Sequence, residues 1–172
     1  MAKQTNPANQ FAEIVYQVVV ESAANTLTFA KLETGYGTLD RAAWIIHRME
    51  YYLSPAMMAL LVNTADAIHI GLTRSNLITS LSLESSAVID MLDQQSHLLS
   101  GVGFADHHFP VVRDFSSLPG GGLLTLPNPL YLAVQGESLA SAVTVRARIH
   151  FSRMDMEAEN WIELVEQTRL LT

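Results

Sequence analysis

The sequence contains no cysteine, which excludes disulfides, thiolate metal sites and cysteine nucleophiles together. Charge is sparse as well: Asp, Glu, Lys and Arg make up 16% of the 172 residues, against about 25% in an average soluble domain. Ten Lys and Arg stand against 17 Asp and Glu, for a formal net charge of -7. That sign opposes phosphate neutralisation, so strong direct binding of nucleic acid is not expected. No apolar run approaches the roughly 18 residues of a membrane-spanning helix. The opening MAKQTNPANQ of residues 1–10 lacks the apolar stretch of a secretory signal and reads as a flexible polar arm.

The usual catalytic signatures are missing too. There is no Gly-x-Ser-x-Gly elbow, and Gly101-Val102-Gly103 and Gly120 to Gly122 lack the surroundings of a phosphate loop. No His-x-His occurs, which weakens a cupin-like enzyme. Asp106, His107 and His108 are adjacent, but neighbouring side chains on a strand point to opposite faces and cannot easily share one ion. His47, His69 and His150 each fall inside a strand-like run, where an ordinary core or surface histidine is the commoner outcome. No enzyme activity and no metal, nucleotide or organic cofactor is expected.

What the sequence does have is alternation. Val143, Val145, Ala147, Ile149 and Phe151 alternate with Thr144, Arg146, Arg148 and His150, the mark of a half-buried strand. Ile68, Ile70 and Leu72 alternate with His69, Gly71 and Thr73 over Ala67 to Arg74, giving one apolar face and one that is not. Glu13 to Val20 and Thr26 to Glu33 read as two strands of a hairpin or meander. Phe109 to Phe115 and Leu123 to Gln135 continue the pattern, with Pro110, Pro119, Pro127 and Pro129 as breaks or edges. Ala42 to Leu53 could be read either way, and its β-branched and aromatic content favours strand.

Helices are expected in three places. Ser54-Pro55 offers a start with Pro at the first position. Ser85 to Gln95 has Val88, Ile89 and Leu92 at helical spacing after a Ser start. Asp155 to Leu171 has Asp155 as cap, Glu157 and Glu159 in the first turn and Arg169 in the last, with an apolar face of Trp161, Leu164, Val165, Thr168 and Leu171. The tract Ser116 to Gly122 reads as a loop within one domain spanning residues 11–172.

About eight short strands punctuated by Gly and Pro predict an all-β, two-sheet jelly-roll sandwich with short helices, one of them C-terminal. The stretch Gly122 to Phe151, GLLTLPNPLYLAVQGESLASAVTVRARIHF, resembles the closing strands of viral jelly-roll coat proteins, in particular the single vertical jelly-roll capsid proteins of icosahedral archaeal and bacterial viruses. The resemblance implies a structural capsid subunit of the virion, assembled in the host cytoplasm, whose partners are copies of itself and other capsid proteins, with an internal membrane as a further partner. The high apolar content (49%) and mean hydropathy of +0.20 agree with surface covered by partners. Trp161, Leu164 and Val165 on the last helix, with Arg146 and Arg148 on the last strand, are the expected subunit contacts. The rival reading is a non-enzymatic cellular β-sandwich binding module using loops such as Leu98 to His108 or Ser116 to Gly122.

Overall fold

The computed structural model describes residues 13–35, 40–95 and 110–170. In chain order its elements are β1 (Glu13–Val20), β2 (Thr28–Lys31), β3 (Ala42–Leu53), α1 (Pro55–Met58), β4 (Ala67–Thr73), β5 (Val88–Gln95), β6 (Val111–Asp114), β7 (Leu123–Thr125), β8 (Tyr131–Glu137), β9 (Thr144–Asp155) and α2 (Ala158–Leu170). One sheet has the order β1-β9-β3-β6, with β7 also on β3, and the other has the order β2-β8-β4-β5. All pairings are antiparallel.

β6 and β7 are two pieces of one strand. Val111 to Asp114 run along Tyr51 to Arg48, and Leu123 to Thr125 continue along Ile46 to Trp44 in the same direction. The chain leaves the sheet between them, over the Ser116 to Gly122 tract. Gly122 marks the return, because a Cβ there would sit 2.6 Å from Ile45 Cγ2 and 2.7 Å from the Ile46 carbonyl oxygen. Counted this way the described residues form eight strands, and among these only β4 and β5 are both consecutive and paired. Every other connection crosses between the sheets, which is jelly-roll connectivity.

The alternation read in the sequence sets the core. Trp44, Ile46, Met49 and Tyr51 of β3 and Val145, Ala147, Ile149 and Phe151 of β9 face Ile68, Ile70 and Leu72 of β4 and Leu132 and Val134 of β8. Trp44 stacks on Phe151 with ring centroids 3.7 Å apart. Large apolar side chains of this kind contribute about 1.5–3 kcal/mol each when fully buried. Ala42 to Leu53 is strand throughout, and Ser54 caps α1 by accepting from the Met57 amide.

Three expectations are corrected. Ser85 to Gln95 is not a helix: Val88–Gln95 forms β5, an edge strand whose core-facing positions, opposite Leu72, Ile70 and Ile68, are Asp90, Leu92 and Gln94. β1 and β2 do not form a hairpin, since β1 pairs β9 and β2 pairs β8 in the other sheet. The chain turns this corner at buried Glu21, whose carboxylate accepts from the amides of Gly136 and Val143. The face of β4 with His69, Gly71 and Thr73 is not apolar, as expected, and it is covered in part: Ile78 and Leu81 of the 74–87 connection pack with Val88, Met91 and Ala133 outside the four-stranded sheet. Asp155 ends β9 rather than capping α2, which begins at Ala158.

Candidate functional site

The outer face of the five-stranded sheet carries a row of apolar side chains beside a row of cations. On β1, Ile14, Tyr16 and Val20 are 59%, 53% and 57% exposed. Their register partners on β9 are His150, Arg148 and Thr144, and Val18 lies opposite Arg146. β-branched and aromatic residues favour this strand whichever face they take, which is why β1 forms although half of its side chains point to solvent. β1 is an edge: beyond it no further strand pairs among the described residues.

Next along the face, Glu50 of β3 is buried beneath its neighbours. Arg48 (2.7 Å) and His150 (3.4 Å) approach one carboxylate oxygen, and Arg148 (4.0 Å) approaches the other, which also accepts from the Tyr52 hydroxyl. The Tyr52 hydrogen bond chiefly, with the surrounding cations, holds the Glu50 carboxyl below its usual range despite burial. The same bond pushes the Tyr52 hydroxyl up. Arg148 sits 5.3 Å from the centroid of the Tyr52 ring, a cation–π distance. Arg146 has no ionic partner among the described residues and is exposed.

The second feature is a groove of about 610 Å³ between α2 and the sandwich. Trp161, Val165, Thr168 and Arg169 of α2 form one wall. Leu126, Asn128 and Pro129 from the β7–β8 connection, Tyr131 at the start of β8, and Arg74 to Leu77 after β4 form the other. The opposite side of α2 presents Glu159, Ile162, Glu163 and Glu166 to solvent, with Ile162 55% exposed.

The five residues expected as contacts therefore fall in two places. Arg146 and Arg148 lie on the sheet face, Trp161 and Val165 line the groove against their own chain, and Leu164 is half-buried on the same side of the helix. Sequence reasoning missed Arg74, Tyr131 and Glu50, because long-range folding alone assembles their surroundings.

Among the described residues the histidines do not converge. His47 bridges the Gly121 carbonyl and the Ser152 hydroxyl, each at 2.8 Å, at the bulge between Ile46 and Arg48. His69 lies between Asp93 (2.7 Å) and Glu137 (3.2 Å) on the other sheet. Asp106, His107, His108 and Leu171 lie outside the described residues, as do Gly101, Gly103 and the 1–10 arm. Among the described residues no group of three or more His, Asp or Glu could hold a metal ion, and no helix is long and apolar enough to cross a membrane. No protein-family model matches the chain, and none of the curated proteins matches it either.

Proposed function

We propose that this chain is a structural subunit of a virus capsid, which assembles with copies of itself, alone or with a second coat protein, into an icosahedral shell. The observation that carries the reading is the pairing of two exposed surfaces of opposite character. One is the outer sheet face, with Ile14, Tyr16 and Val20 beside Arg146 and Arg148. The other is the acidic side of α2, with Ile162 among Glu159, Glu163 and Glu166. Both carry apolar area that monomeric proteins tend to cover, and their charges are complementary. Made head to tail, a contact of one on the other is heterologous, and its repetition generates rings or lattices rather than a closed dimer. The jelly-roll connectivity agrees with the resemblance of residues 122–151 to viral coat proteins. The net charge of -7 favours an inner surface that meets a membrane or a protein layer over one that wraps a genome.

The purified chain tests this directly. Sedimentation over a concentration series should show mass growing by whole subunits, and electron micrographs should show rings, sheets or closed shells. A chain that stays monomeric at all concentrations and salt levels, with no partner coat protein, removes the shell reading. The groove beneath α2 would then favour the alternative, a β-sandwich binding module.

A further inference from the structure

We infer that the groove between α2 and the sandwich is a binding site for a small amphiphilic anion, with the anionic head on the Arg74 guanidinium and the apolar tail along Trp161, Val165, Leu126 and Pro129. The inference stands apart from the shell reading, because it concerns one chain and needs no second copy.

Arg74 lies just beyond β4, half-buried, and the one hydrogen bond its side chain makes among the described residues is a long one, 3.4 Å from Nη1 to the Ser86 carbonyl oxygen. Its Nε is buried and has no partner among the described residues. No carboxylate pairs with it there, and burial by itself pulls the guanidinium below its usual range. A desolvated cation without an anion is costly to keep, whereas an arginine fork is well matched to a carboxylate. The cation is therefore a group whose missing partner comes from outside the chain.

The walls decide what is attached to that anion. The indole of Trp161, the ring of Tyr131, and Leu126, Pro129 and Val165 surround the space, and Leu77 stands at its mouth 83% exposed. An apolar lining with a few convergent polar groups, and a volume of about 610 Å³, is the anatomy of a small-ligand site. A bare anion would leave this lining wet, and a neutral chain would leave Arg74 unpaired. Only a molecule with both parts satisfies both.

The test uses the full chain and three probes: octanoate, octan-1-ol, which has the same tail without charge, and acetate, which has the charge without a tail. Trp161 fluorescence reports binding, with Trp161→Phe identifying its signal against Trp44, which is buried in the core. Octanoate should bind about tenfold or more tighter than octan-1-ol, the factor a charge-assisted hydrogen bond supplies, and acetate should bind far more weakly than octanoate. Arg74→Gln, with its melting curve checked, should bring octanoate down to the octan-1-ol level and leave octan-1-ol unchanged. Equal binding of octanoate and octan-1-ol to the unaltered chain overturns the inference without any variant. So does equal binding of acetate and octanoate, no binding of any probe, or a folded Arg74→Gln that keeps the preference for octanoate.

Discussion

The Tyr51 hydroxyl donates to the Asp90 carboxylate at 2.8 Å, joining the middle of the five-stranded sheet to the edge strand of the other. Both residues are buried, and Arg113 on β6 reaches the second Asp90 oxygen at 3.2 Å. The sandwich is thus closed on one side by a polar tie between its sheets rather than by apolar packing. Burial, reinforced by the Asp90 charge, pushes the Tyr51 hydroxyl well above its usual range, so it stays a donor.

Removing that donor should cost stability without changing the fold. Tyr51→Phe leaves a buried carboxylate short of one hydrogen bond, and urea unfolding should show a loss of about 1–3 kcal/mol. Combining it with Asp90→Leu should cost less than the sum of the two single changes, because neither partner is then left unsatisfied. Additive losses would show that the tie carries no coupling.

This tie also explains why β5 was illegible as a strand. Its core-facing row is Asp90, Leu92 and Gln94, so two of three inward positions are polar and the period of two vanishes. Val88, Ile89 and Leu92 then mimic a helical stripe. Where inward positions are apolar, as in β3, β4 and β9, the strands follow from the alternation. The corner at Glu21 was hidden for a related reason: its partners are the amides of Gly136 and Val143, more than a hundred residues away. Of the contact surfaces, the arginine row was visible as alternation and the side of α2 as a helical stripe. The burial of Arg74 depends on three distant segments meeting.

Glu21 should be a point of high sensitivity. Glu21→Ala strands two buried amides, for a loss on the order of 3 kcal/mol, while Glu21→Gln keeps one acceptor oxygen and should lose less. Hydrogen exchange localises the effect: the Gly136 and Val143 amides should lose protection first in the Ala variant. Unchanged protection there would mean that the corner is held by other contacts.

Glu50 should make stability depend on acid. Its carboxyl is held below the usual 4.5 in the fold, so the folded state favours the ionised form. The stabilisation is fully present above about pH 4.5 and is lost as pH falls through the lower folded value. Glu50→Gln should cost about 1–2 kcal/mol at neutral pH, a modest figure because Arg48 and Arg148 are about half exposed. The gap between wild type and variant should narrow steadily as pH drops below 4.5. A gap that is constant with pH would assign the loss to packing instead of charge.

The contact proposed between copies makes the most specific prediction. Arg146 is the better probe of the sheet face, because Arg148 is already engaged with Glu50 and Tyr52. Arg146→Glu sets an acidic sheet face against an acidic helix. Glu163→Arg sets a more basic helix against a basic sheet. Each variant alone should assemble more poorly than wild type, since like charges brought together in a contact cost up to several kcal/mol. Mixing the two variants should restore assembly. In the mixture the altered sheet of one chain meets the altered helix of the other, and the remaining sheet and helix are both wild type. Only a contact between these two surfaces predicts such mutual rescue. Sedimentation of each variant and of the equimolar mixture, with melting curves to confirm folding, reads the result. Two variants that assemble normally on their own would place the contact elsewhere while leaving the shell reading intact.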